Sequence, residues 1–129
     1  MNYTENELAA IICDLGLKVH RKTGPGLLES AYEECLFYEL TKKGLKVERQ
    51  INLPLKYEGI HVNIGYRLDL LVEDKVIVEL KAVSSIQDIH ISQLLTYLKM
   101  SNKKLGLLLN FNVELFKYGI KRVANGYLD

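Results

Sequence analysis

Tyr66-Arg-Leu-Asp-Leu-Leu-Val-Glu-Asp-Lys-Val-Ile-Val-Glu-Leu-Lys-Ala-Val83 is the stretch on which the reading of this chain turns. It reads as two apolar strands joined by a tight polar turn at Glu73-Asp74-Lys75. Three charges break the apolar pattern: Asp69 on the first strand, Glu79 and Lys81 on the second. Burying a charge is costly unless it is paired or binds a metal. Strand side chains alternate faces, so Glu79 and Lys81 share one face while Val78, Leu80 and Ala82 take the other.

The register of the hairpin decides where Asp69 goes. A three-residue loop at 73–75 sets Asp69 opposite Glu79 on the same face, with Ile77 opposite Leu71. A two-residue loop at Asp74-Lys75 pairs Asp69 with Leu80 instead, because a slip of one residue turns every side chain over. Two carboxylates side by side in a half-buried site repel each other. A hard cation with oxygen ligands relieves that repulsion, and Mg²⁺ is typically held by one or two carboxylates plus waters. Lys81 then stands where it can orient or deprotonate an attacking water, or offset phosphate charge. The alternative is an Asp/Lys or Glu/Lys pair on a solvated sheet face, which antiparallel sheets often have. These three residues alone leave both open.

Upstream, Thr4-Glu-Asn-Glu7 is a capping-box pattern. Leu8, Ile11, Ile12, Leu15 and Val19 recur at helical spacing and predict a helix over about 5–22. Thr23-Gly-Pro-Gly26 stops it, and a second helix is expected over about 27–43. Val47 to Leu53 alternates as a strand, and Pro54 confines it to an edge or a strand end. Leu55 onward predicts a second strand that turns at Glu58-Gly59 into a third. Downstream of the hairpin, Ser84 or Ser85 is the expected cap of a helix over about 87–101. Leu105 to Phe111 reads as a buried strand, and Leu115 to Val123 as one more strand or an irregular edge. This order implies an α+β fold, with helices packed on one or both faces of a mixed sheet.

At 129 residues one domain with a single core is expected. The net charge of +1 exerts no strong overall pull on nucleic acid, so any such binding rests on a local patch. No apolar run is long enough to span a bilayer and the N-terminus has no signal-peptide pattern, so a cytoplasmic protein without membrane contact is expected. Cys13 and Cys35 lack zinc-like spacing and read as buried free thiols. There is no Gly-rich phosphate loop, HExxH, CxxC or nucleophilic serine elbow.

Several polar residues fall in distinctive places. Glu29 lies in the first turn of the second helix, where a carboxylate suits the helix dipole. Tyr32 and Glu33 follow one turn later on roughly the same face. In the last helix His90, Gln93 and Tyr97 form a stripe beside the apolar one of Ile91, Leu94, Leu95 and Leu98. His61 is expected on a surface strand, and His20 at the end of the first helix, where a cation suits the dipole. Lys42, Lys43, Lys46 and Arg49 cluster in sequence, as do Lys103-Lys104 and Lys121-Arg122. One such cluster is a candidate track for a phosphate backbone.

Asp69, Glu79-x-Lys81 and Gln93-x-x-x-Tyr97, with a glutamate on an N-terminal helix, resemble the PD-(D/E)XK nuclease superfamily. Gly26-Leu-Leu-Glu29-Ser-Ala-Tyr32 resembles the signature of its bacterial GxxExxY family, as do Glu79-Leu-Lys-Ala82 and Leu108-Leu-Asn-Phe-Asn112. The resemblance runs from the first helix to Arg122 and departs from the superfamily pattern at Leu68, which precedes Asp69 in place of proline. It implies a restriction-endonuclease-like αβββαβ core and a Mg²⁺- or Mn²⁺-dependent nuclease acting on DNA or RNA. It also implies metal ligation by Asp69, Glu79, the Leu80 carbonyl and Glu29, with Lys81 as the catalytic lysine. Gln93 and Tyr97 are the substrate or outer-shell contacts it implies, and Tyr32 and His90 are further candidates beside them. A small nuclease that cuts both strands is expected to be a homodimer. The alternative is a catalytically weak or inactive module that binds nucleic acid or protein on the same fold.

Overall fold

The computed structural model describes residues 2–128, without the side chains of Asn63 and Ile64. Helix α1 (Glu5–Thr23) opens on the expected capping box. Thr4 Oγ1 accepts from the Glu7 amide at 3.1 Å, and the Glu7 carboxylate accepts from the Thr4 amide at 2.9 Å. Helix α2 (Glu29–Lys42) starts two residues later than expected, because Leu28 is still extended.

Strand β1 (Val47–Tyr57) runs through Pro54 instead of ending there. It is the edge strand of the sheet, where the missing proline N–H costs least, and its register shifts between Leu53 and Leu55. The chain then turns at Glu58-Gly59 into β2 (Ile60–Val72). The four expected strands before the last helix are therefore three, two of them long. They are followed by β3 (Val76–Lys81), α3 (Asp88–Ser101), β4 (Leu105–Asn110), a 3-10 turn (Phe116–Gly119) and β5 (Ile120–Ala124).

The sheet order is β1-β2-β3-β4-β5, antiparallel except between β3 and β4. Parallel neighbours need a crossover, and α3 supplies it. The fold is α+β, with a mixed sheet covered on both faces. One core joins Leu70, Val72, Val78 and Leu80 to Leu8, Ile12, Leu36 and Leu40 of α1 and α2. The other joins Leu68, Leu71, Ile77 and Leu108 to Leu94, Tyr97 and Leu98 of α3. Gly106 on β4 lets α3 come close, since a Cβ there would stand 2.7 Å from Leu94 Cδ1.

Helix α3 is capped by neither Ser84 nor Ser85. Gln87 is its N-cap, and the Gln87 amide donates to His90 Nδ1 at 2.9 Å. Ser85 instead steadies the Gln87 side chain, accepting from Nε2 at 2.7 Å. His20 lies in the last turn of α1, as expected, and is buried there; its Nε2 lies 2.7 Å from the Val113 carbonyl, beside Phe111 and Phe116. Cys13 and Cys35 are free and half-buried. No helix among the described residues is long and apolar enough to cross a membrane.

Candidate active site

The turn between β2 and β3 is the three-residue one. Leu70 pairs with Val78, Leu71 with Ile77 and Val72 with Val76, with Glu73 and Asp74 both in the left-handed region. The ladder stops there. At the next rung the strands part and two carboxylates enter the gap. The Asp69 amide donates to Glu79 Oε2 at 2.8 Å, and the Leu80 amide donates to Asp69 Oδ2 at 2.9 Å. Each side chain thus takes the place of a backbone acceptor on the opposite strand.

The cause of the fork lies partly in β1. Leu68 belongs to the α3-side core and Leu70 to the α1/α2-side core, although a regular strand puts residues two apart on one face. The same reversal occurs in β1, between Val47 and Ile51. The pairs Arg49↔Leu70 and Ile51↔Leu68 bracket Gln50 and Asp69, and Gln50 has φ +49°. The β1–β2 ribbon turns over at this rung, with Asp69 at the crossover. The expected register is therefore present, but simple alternation onto a shared face does not describe how Asp69 and Glu79 meet. They meet because the ladder opens.

The gap is short of positive charge. Glu79 is only 6% exposed. Burial, and after it the Asp69 carboxylate, pushes its pKa from 4.5 up to about 8 against the opposing Asp69 amide and Lys81. Burial also raises Asp69, with Glu33 and Glu29 adding to the rise and the Leu80 amide and Lys81 opposing it. Among the described residues no ion pair within 4.0 Å joins Lys81 to either carboxylate. An ion pair on a solvated face, the alternative open from sequence, is not what the strands carry. Two adjacent oxygen donors with raised proton affinity suit a hard divalent cation. No three His, Cys, Asp or Glu side chains among the described residues converge into a ready cage, so such a site rests on Asp69 and Glu79 with backbone and solvent oxygens.

Glu29 does not cap its own helix. Its Oε2 accepts from the Ala82 amide at 3.0 Å, just past Lys81, while the side chain stays open to solvent. It lines a cavity of about 280 Å³ with Ser30, Glu33, Gln50, Asp69 and Leu80. Its expected place among the converging ligands is thus corrected to the rim of that cavity.

Tyr32, a candidate substrate contact, is fully buried. Its hydroxyl donates to the Gly24 carbonyl at 2.6 Å and accepts from the Leu27 amide at 3.1 Å, and its ring stacks on Phe111 at 4.4 Å. It staples the turn before α2, where Gly26 takes φ +106°. That is a structural role and not a substrate contact. His90 gives its Nδ1 to the α3 cap.

Gln93 and Tyr97 line a separate groove on the α3 side, about 240 Å³ in volume. Tyr97 adjoins the fork, since the charges of Glu79 and Asp69 add to the burial that raises its hydroxyl pKa. Of the basic clusters, Arg49 is engaged with Glu33 and Glu34, and Lys103 with Asp74.

Three residues near the site have roles that the sequence did not assign them. Glu33, 7% exposed, accepts from Gln50 Nε2 at 2.6 Å and faces Asp69's cavity. Its position one turn after Glu29 was the available signal, whereas nothing marked Gln50. Asn110 is buried and extends the β3–β4 pairing with its side chain: Oδ1 accepts from the Val83 amide at 3.1 Å, and Nδ2 donates to the Val83 carbonyl at 2.9 Å. It thereby fixes the backbone that follows Lys81.

No curated protein and no solved structure matches this chain. The sequence profile of one family does, over residues 6–123, a span that contains the fork, α3, β4 and all but the first residue of α1. Its extent, together with the carboxylate fork and the lysine two residues beyond Glu79, identifies this chain as a member of the PD-(D/E)XK nuclease superfamily.

Proposed function

We propose that this protein is a metal-dependent nuclease that hydrolyses phosphodiester bonds in nucleic acid. The observation that carries the proposal is Glu79: a buried carboxylate with a raised pKa, set against Asp69 in an opened strand ladder. Natural proteins seldom keep two such groups together without a task for them. Asp69, Glu79 and the Leu80 carbonyl would hold Mg²⁺ or Mn²⁺ with solvent oxygens, while Glu29 stands at the rim of the adjoining cavity. Bound there, a divalent ion would supply polarisation of the scissile phosphate and a more acidic water. Lys81, at the open end of β3, orients the attacking water and stabilises charge developing on the phosphate. The Asn110–Val83 bonds and the Glu29–Ala82 bond hold the strand end that presents it.

We also assign the chain to the GxxExxY group within the superfamily. The signature Gly26 to Tyr32 has a physical basis here. The glycine permits the turn, Tyr32 fastens it, and Glu29 is thereby delivered to the end of β3.

The test is cleavage of labelled DNA and RNA, single- and double-stranded, with Mg²⁺, Mn²⁺ or chelator. Turnover that needs the metal and disappears in Lys81→Met, with nucleic-acid affinity nearly unchanged, is the expected result. Binding without turnover would identify a binding module on a nuclease fold.

A further inference from the structure

The groove on the α3 side has its own chemistry. It lies between the β1–β2 ribbon and α3, and its lining includes Leu55, Tyr66, Ile89, Gln93, Tyr97 and Met100. None of its lining residues is charged. Tyr66 and Tyr97 meet edge to face at 6.0 Å, with Tyr97 buried and Tyr66 half-open to the groove. Ile89 projects from the first turn of α3 with 70% of its surface exposed. At the inner end, Tyr97 shares one apolar cluster with Leu68, which precedes Asp69 on β2, and Ile77, two residues before Glu79 on β3. The groove thus borders the strands that carry the carboxylate fork.

Duplex binding draws its affinity chiefly from Lys and Arg on phosphates. This groove supplies apolar and aromatic surface, with the side-chain amide of Gln93 for hydrogen bonding. That combination suits the face and edge of an unpaired base. Its volume of about 240 Å³ has room for a single base. The geometry points to a single-base subsite: the groove holds one unpaired nucleobase next to the phosphate presented to Asp69, Glu79 and Lys81. The substrate is then a single strand or an unpaired end and not a continuous duplex. This inference rests on the nuclease reading and adds the substrate class to it.

The experiment uses the full chain with Ca²⁺, which fills a carboxylate site without supporting cleavage. Fluorescence anisotropy measures affinity for a labelled oligo-dT strand of about 12 nucleotides, the same strand with abasic positions, the matching oligo-U strand and a blunt duplex. The single strands should bind at least about 10-fold more tightly than the duplex, and the abasic strand should lose about 5- to 100-fold. Gln93→Ala and Tyr66→Leu, the latter keeping apolar bulk, should weaken the intact strands and leave the abasic strand unaffected. The two sugars separate DNA from RNA. Equal affinity for single strand, abasic strand and duplex, or variants that weaken all probes alike, would overturn the subsite. A parallel Mg²⁺ cleavage assay keeps the two ideas apart. Duplex cut as fast as single strand overturns the subsite and leaves the nuclease standing. Base-dependent binding without any cleavage upholds the subsite and removes the nuclease.

Discussion

Replacing Glu79 with glutamine tests the electrostatics of the fork directly. The amide keeps the shape, and its oxygen can still accept from the Asp69 amide now bound by Glu79 Oε2. Only the charge is lost. Glu79 holds its proton more tightly folded, with a pKa of about 8, than unfolded, at 4.5. Its contribution to stability is therefore fully present below the unfolded value and is lost as pH rises through about 8. Worked through the linkage relation, the charged carboxylate costs the folded state about 1 kcal/mol near pH 5 and about 3 kcal/mol near pH 7. Asp69, raised as well, acts with the same sign. Glu79→Gln should accordingly be more stable than the parent by an amount that grows across this range. Urea unfolding followed by circular dichroism at each pH, with chelator present, reads the difference. A gain that stays constant from about pH 5 to pH 9 would refute the reasoning, because the carboxylate would then be equally ionised in both states.

Divalent-ion affinity should tighten as pH rises toward about 8, since Glu79 must shed its proton to ligate; calorimetry in buffers of different ionisation enthalpy should show proton release. Tyr32→Phe removes the hydroxyl joining Gly24 and Leu27 and should cost about 1–3 kcal/mol in urea unfolding; an unchanged midpoint would show that turn to be held otherwise. Asn110→Ala strands the Val83 amide and carbonyl, so it should lower stability by at least about 2 kcal/mol and reduce kcat more than KM.

The hairpin was legible because its information is local. A polar turn of fixed length and the alternation beside it determine Leu71 opposite Ile77, and the ladder obeys. The capping box before α1 is local for the same reason. Pro54 misled only in part: an edge strand was one of its two readings and holds, but the expected end at Leu53 does not, because β1's place at the edge follows from the whole sheet order. Tyr32 misled in another way. Its place on the helix face of Glu29 was right, but Phe111, far along the chain, takes up that face and draws the ring into the core.

The turnover of the β1–β2 ribbon shows where the limit lies. Leu68, Leu70 and Leu71 are one residue type, yet Leu70 joins one core and Leu68 and Leu71 the other. Periodicity therefore carries no signal at the rung where the faces exchange. The exchange needs a partner strand that breaks at the same level, and Gln50 provides it with a left-handed backbone that a β-rich stretch does not announce. The site gains from that irregularity. In an unbroken ladder the Asp69 and Leu80 amides would face backbone acceptors and could not be bound by the carboxylates. With the ladder opened, both amides bind carboxylates, and Glu79 is held under cover with its charge unpaired by Lys81. A local failure of sheet geometry thus sets the carboxylates side by side, and the uniform leucines of β2 conceal it in the sequence.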